Sequence, residues 1–246
     1  MAQLGGAPRR IRKFYKAVCV EETANGHALL LDGRAAKTPA GAALVLPAAA
    51  LAEAVAEEWR VDAEVLDLAA MALTRLASTA IDLSRRDRAR WTDDILNYLQ
   101  TDLLCYRASE PAALVERQRA AWDPLLDWAA GELGARLAVT SGVAAITQSD
   151  AVLAPARRRL EAMDAWRIAG LDAAIPIAGS AVIGFALAVR AFPAPALFDA
   201  SRLDEHFQTE RWGADEEAAA RERALEAAFL AVDRWFGLLG RPLSLP

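Results

Sequence analysis

The chain has 246 residues and a formal net charge of −5; 54% of its residues are hydrophobic and 25% are charged. That balance excludes a disordered chain, which lacks the apolar surface to offset its conformational entropy. It also excludes the basic footprint of a general nucleic-acid binder. At this length one large domain or two small ones can bury a core.

From residue 12 to 47 the pattern has the period of strands. In "KFYKAVCVEE", Phe14, Lys16, Val18 and Val20 alternate with Tyr15, Ala17 and Cys19, as in a half-buried strand. "TANG" (23–26) supplies a turn and "HALLL" a second strand. Asp32-Gly33 in "LDGRAAKTP" reads as a hairpin turn, and "ALVLP" (43–47) as a further strand. Turn signals at such short spacing describe an antiparallel meander.

After Pro47 the period becomes helical and stays so. "PAAALAEAVAEEW" (47–59) sets Leu51, Val55 and Trp59 four apart on one face, the stripe of an amphipathic helix. A connector at 61–68 leads to "MALTRLASTAIDL", whose stripe is Leu73, Leu76, Ala77, Ala80 and Ile81. Helices are predicted in "RARWTDDILNYLQTDLL", "PAALVERQRAAWDPLLDWAAGEL" and "SDAVLAPARRRLEAMDAW", the last with Ser149 as N-cap. The stretch 137–146 reads as an extended connector. The charge-free run at 173–189 has seventeen residues, the lower limit of a membrane span. Pro176, Gly179, Ser180 and Gly184 interrupt it, so it reads as a central buried helix, not an integral membrane segment. Ser180 and Gly184, four apart, let a neighbouring backbone come close. Helices over 195–212 and 215–239 end the chain. The last has the stripe Leu225, Phe229, Val232 and Phe236, and acids at its start that suit the helix dipole. The expected fold is therefore α+β: a small antiparallel β-rich N-terminal domain with one helix (1–60), then a larger all-α C-terminal domain (61–246).

Residues with chemical capability are sparse. The two histidines and two cysteines are scattered and form no zinc-like spacing, so no metal and no cofactor is expected. Cys19 and Cys105 lie far apart in apolar settings and read as buried small hydrophobes of a reducing compartment. No charged-then-apolar leader precedes the strands, and secretion is not expected. The basic runs at 9–13 and 85–90 read as solvated faces. His206 and Glu210 stand i,i+4 and read as a surface pair. "LDGRAAKTP" has one glycine and no helix start at the offset of a phosphate loop, and "GSAVIG" lacks the spacing of a nucleophile elbow. Adjacent acids such as Glu57/Glu58 and Glu216/Glu217 point about 100° apart on a helix and are not paired carboxylates. What stands out is tryptophan beside acid. There are seven tryptophans; Trp59 ends "AEEW", and Trp212 sits in "QTERWGADEE" among Glu210, Asp215 and Glu216. Such a segment suits an aromatic anchor inside an acidic surface that receives a basic partner. Trp59 reads first as packing between the two domains.

Taken together, "KFYKAVCVEE", "LLLDGRAAKTPAGAALVLP", "LAEAVAEEW", "MALTRLASTAID", "NYLQTDLLCYRA", "WDPLLDWA" and "LDEHFQTERWGADEEAA" resemble one family over roughly residues 12–238. It is the ATP-twelve family, the chaperones that bind the free alpha subunit of the F-type ATP synthase during assembly of the catalytic head. The resemblance implies a two-domain protein of the bacterial cytoplasm (the mitochondrial matrix in eukaryotic relatives), monomeric, and not an enzyme. It implies a single protein client, the alpha subunit, held until a beta subunit takes its place. Glu210, Trp212, Asp215 and Glu216 are then the expected client contacts, with Trp59, Asp32 and Gly33 structural. The alternatives are a cofactor-free carboxylate hydrolase, marked by a deep pocket with convergent acids, and a helical adaptor for another client.

Overall fold

The computed structural model describes residues 10–83, 88–142, 145–213 and 215–240. The basic runs at 9–13 and 85–90 and the connector at 137–146 fall partly outside these residues. Strands β1 (Arg10–Arg12), β2 (Val18–Thr23), β3 (Gly26–Leu31), β4 (Arg34–Ala35) and β5 (Val45–Leu46) come first. β2 and β3 pair antiparallel along their length, with Val18 opposite Leu31 and Thr23 opposite Gly26. β3 also pairs with β4 near its end and with β5 near its start. The sheet is antiparallel, as the turn signals describe, but it is not a simple meander: β5 returns to β3, beside the β4 pairing, and not to β4.

Asp32 and Gly33 join β3 to β4 with φ of +49° and +77°. A two-residue hairpin loop of this hand requires positive φ twice, which glycine adopts freely and aspartate tolerates. The Asp32 carboxylate accepts hydrogen bonds from the backbone N–H of Ala17 (2.8 Å) and Lys16 (3.1 Å). Those bonds, Ala17 first, hold it below the usual carboxylate range. They also take the donors that a ladder would use, so β2 begins at Val18 and not at Phe14.

Helix α1 (Ala49–Trp59) comes next, its stripe of Leu51, Val55 and Trp59 buried. The stretch predicted as a bare connector contains β6 (Val65–Asp67), which returns to pair with β1, Ile11 opposite Leu66. Strand pairing thus crosses residue 60. Then come α2 (Ala72–Leu83), α3 (Arg88–Gln100), a 3-10 turn (Leu103–Cys105), β7 (Tyr106–Arg107) and α4 (Ala112–Trp128), which runs into a wider turn at Ala129–Leu133. β8 (Thr140–Ser141) pairs with β7 in parallel, a small strand element inside the helical part. The last helices are α5 (Asp150–Ala162), α6 (Ala165–Ala178), α7 (Ala181–Ala188), α8 (Ala194–Ser201), α9 (Leu203–Trp212) and α10 (Glu216–Leu238).

Three predicted helices are divided. The one over 149–166 stops at Ala162, and α6 starts at Ala165 with Asp164 as its N-cap. The apolar run 173–189 breaks at Gly179 (φ +63°), which ends α6, and at Ser180, whose Oγ accepts from the N–H of Ile183 (3.1 Å) to start α7. Left-handed glycine and serine N-cap are the ordinary stop and start of adjoining helices. The close approach at Gly184 is to a side chain: a Cβ there would lie 2.4 Å from Cγ1 of Ile175 on α6. The run 195–212 divides at Arg202 into α8 and α9. Ser149 occupies the N-cap position of α5, but its side chain makes no capping bond. α6 is the axis of the helical part, packed against α2, α3, α7 and α10. No helix among the described residues is long and apolar enough to cross a membrane.

Candidate functional site

Three places in the molecule concentrate polar chemistry, and they differ in burial. The first joins the β-rich part to the helices. Trp59, at the end of α1, is 7% exposed, and its Nε1–H donates to Oγ1 of Thr74 on α2 (3.0 Å). The Tyr15 hydroxyl donates to the Trp59 carbonyl (2.6 Å). The neighbouring Glu58 carboxylate accepts from the N–H of Leu73 (2.9 Å), the N–H of Thr74 (2.8 Å) and the Thr74 hydroxyl (2.7 Å). One acid on α1 therefore satisfies two of the orphan donors that every helix start leaves open. Burial pushes the Glu58 pKa up against these bonds. A parallel tie comes from the loop after β4, where the Thr38 hydroxyl donates to Asp82 on α2 (2.9 Å). Sequence reading finds Trp59 but misses Glu58 and Thr38, whose partners lie 16 and 44 residues away.

The second place is the fully buried Asp102. Its carboxylate accepts from the Ser180 hydroxyl (2.7 Å), the N–H of Val182 (3.0 Å) and the N–H of Leu104 (3.1 Å). It thereby caps the 3-10 turn and α7 at once. Burial pushes its pKa up to about 6 despite those bonds. The adjacent Cys105 thiol is pushed up to about 12, by burial first and by Asp102 second, so at neutral pH it is a protonated packing group and not a nucleophile. Cys19, expected to be buried, is exposed: it falls on the outer face of β2 once the strand begins at Val18. Neither cysteine is in a disulfide.

The third place is the junction of α9 and α10, where the predicted contact residues fall. Trp212 ends α9 and is 78% exposed. Gly213, with φ +91°, turns the chain away from the helix. Asp215 then caps α10, its Oδ1 accepting from the N–H of Glu217 (3.2 Å), and Glu216 stands exposed in the first turn. Trp212, Asp215 and Glu216 thus share one projecting tip. Glu210, two positions before Trp212 and so on another side of the helix, instead meets Arg117 of α4 at 2.9 and 2.7 Å. His206 pairs with Glu222 of α10, not with Glu210, and ties α9 to α10. Among the described residues no cluster of histidine, cysteine and carboxylate is placed to hold a metal ion.

A groove lies on the side of α9 that carries His206 and Glu210. Helix α4 supports α8 and α9 through the Trp122 Nε1–H, which donates to the Ala200 carbonyl (2.8 Å), and the Gln118 amide, which donates to Asp204 (2.7 Å). Between the three helices lies an open groove of about 620 Å³. Its floor includes Ala121, Pro124, Phe192 and Leu203, and its rim carries Asp199 and Glu210. Arg117 at its mouth lies over the Phe207 ring, 5.3 Å from the centroid, and is held by Glu210. Sequence reading misses this groove because its walls come from segments far apart in the chain, with no local signal.

With that geometry established, the chain can be set beside known proteins. The family model described as ATP12 chaperone protein matches residues 12–130. The chain is similar to the protein atp12, mitochondrial, of Schizosaccharomyces pombe, 26% identical over 220 residues that span 84% of this chain and 75% of that protein. It is also similar to the crystal structure of Atp12 from Paracoccus denitrificans: 41% identity, a TM-score of 0.86, and coverage of 93% of this chain and 98% of that one. The crystal structure of the Atu1473 protein from Agrobacterium tumefaciens superposes with a TM-score of 0.87 at 36% identity, covering 94% of this chain and 87% of that one.

Proposed function

Because this chain belongs to the ATP12 chaperone family, whose members serve assembly of the ATP synthase, we propose that its client is the unassembled alpha subunit of the catalytic head. A newly made subunit exposes an interface that the finished ring buries, and obligate interfaces are apolar and prone to aggregate. A stoichiometric binder lowers that hazard by covering the surface, and its affinity must stay low enough for a beta subunit to replace it.

The observation that carries this reading is the exposed Trp212 at the α9–α10 junction with the exposed acids Asp215 and Glu216 after it; Glu210 stands on another side of α9. Large exposed aromatics are the side chains that anchor interfaces, and surrounding charge steers the partner and sets its orientation. The reading is of a chaperone and not an enzyme. Two acids whose pKa is raised, the half-buried Glu58 and the buried Asp102, are engaged structurally: each accepts three hydrogen bonds from structural donors. The protein acts as a monomer in the bacterial cytoplasm, where the alpha subunit is made; the S. pombe relative is named as mitochondrial.

Co-purification with the alpha subunit tests the assignment. Glu210→Lys combined with Glu216→Lys reverses two charges of the patch at exposed positions, and the variant is expected to fold normally and to lose alpha-subunit capture. Undiminished capture by the folded double variant removes the patch from the interface.

A further inference from the structure

The groove between α4, α8 and α9 has a composition that selects its occupant. We propose that it seats a segment of the alpha subunit in which an aliphatic or aromatic side chain stands next to a lysine or arginine. The inference rests on the client reading above and adds the chemistry by which that client is recognised.

The floor asks for an apolar group. Phe192 is half-buried and packs edge-on against Trp128, with ring centroids 6.3 Å apart, and Pro124 is exposed. Together with Ala121 and Leu203 they leave a concave apolar surface open to solvent. The volume lies inside the range of about 300–1,000 Å³ that holds small ligands or a few side chains. Covering such a surface is favourable by about 25 cal/mol for each Å² removed from water.

The rim asks for a cation. Asp199 is exposed on α8 and makes no ion pair or side-chain hydrogen bond among the described residues. The two basic groups of the lining are engaged elsewhere. Arg117 is held through both Glu210 oxygens and stacks on Phe207, and His206 pairs with Glu222. The unanswered charge at the mouth is therefore negative, and an anionic ligand would face Asp199 without a free cation to meet it. A lysine or arginine reaching Asp199 while its neighbour fills the floor satisfies both features at once. The groove also includes Glu210 of α9, the helix whose last residue is Trp212.

The test uses the full-length chain and purified alpha subunit in a binding titration. Ala196 and Asp199 stand three apart on the outer side of α8 and are both exposed, so substitutions there leave the melting temperature at the wild-type value. Ala196→Trp obstructs the floor, Asp199→Lys reverses the rim, and Asp199→Glu keeps its charge. The first two are expected to raise Kd for the alpha subunit about tenfold, and Asp199→Glu to leave it near the wild-type value. Wild-type affinity in both Ala196→Trp and Asp199→Lys overturns the groove as a docking site. Wild-type affinity in Asp199→Lys alone overturns the basic residue that defines the occupant. A wild-type dimer in sedimentation velocity that Ala196→Trp dissociates assigns the groove to a second copy and overturns the proposal. Failure of the wild-type chain itself to bind the alpha subunit overturns instead the client reading on which the proposal rests.

Discussion

Two helices of this protein end in nearly the same way. Helix α1 ends in "AEEW" and α9 in "TERW", each placing an acid and a tryptophan in its last turn. Yet Trp59 is 7% exposed and Trp212 is 78% exposed. The difference lies in the chain beyond each indole. After Trp59, residues 65–67 return to pair with β1, and α2 brings Thr74 to the indole N–H and its first-turn donors to Glu58. After Trp212, Gly213 adopts a left-handed φ and α10 departs, so no element among the described residues closes over the ring. One local pattern thus yields a structural lock in one place and an exposed indole in the other, the one proposed above as a client anchor. The distant chain decides which.

The largest effect that tests this contrast is on stability. Trp59→Arg places an unpaired guanidinium where the indole now packs against Tyr15, with ring centroids 5.8 Å apart. A buried charge without a partner, together with lost core volume, costs about 3–5 kcal/mol. Trp212→Arg, the same change at the exposed site, should shift stability by no more than about 0.5 kcal/mol. Equal chemical-denaturation midpoints for the two variants would erase the distinction between lock and anchor.

The buried acids give the contrast a pH dependence. The Asp102 pKa is raised to about 6 in the folded protein, against 3.8 ordinarily. For a raised acid the stability it contributes is fully present below the unfolded pKa and is lost as pH climbs through the folded one. The loss between pH 4 and 7 is about 2 kcal/mol. Asp102→Asn does not titrate and cannot accept from Ser180, Val182 and Leu104 together, so it leaves a buried N–H unpaired at about 1–3 kcal/mol. Its deficit against wild type should therefore be largest near pH 4 and shrink as pH rises past 6. Asp172, also pushed up to about 6 by burial, titrates alike in both proteins and cancels in the difference. A deficit that grows with pH would show that the hydrogen bonds, not burial, dominate at Asp102.

These cases also show how far residues alone carry the reading. The change of period after Pro47 makes α+β legible, because alternation and four-residue stripes are properties of neighbouring residues. Asp32-Gly33 is legible for the same reason, since a hairpin turn is encoded where it occurs. The breaks at Gly179 and Arg202 are hidden within continuous apolar or amphipathic runs, where the helical stripe continues through the break. β6 is hidden because its partner β1 lies far back in the chain, at residues 10–12. Trp212 and Glu216 stand out as aromatic and acid together, but that Glu210 turns toward Arg117 and a groove depends on α4, 93 residues upstream.

The smallest predicted effect compares helix caps at the two places. Glu58→Ala removes the acceptor for the first-turn N–H groups of Leu73 and Thr74 in a half-buried setting, and should cost about 1–2 kcal/mol. Asp215→Ala removes a cap bond at the exposed start of α10. Water replaces that acceptor, so its cost should fall to about 0.5 kcal/mol. Both substitutions delete one carboxylate at a helix start, and both are read by the same denaturation midpoint. A junction that is a lock makes the first loss clearly the larger. If the proposed client contact is right, the second variant should then register chiefly in alpha-subunit binding, since an exposed acid beside an interface aromatic steers a basic partner more than it holds the fold. Equal losses of stability would mean that burial adds nothing to the cap at Glu58, and the contrast between the two tryptophan-bearing helix ends would rest on the indoles alone.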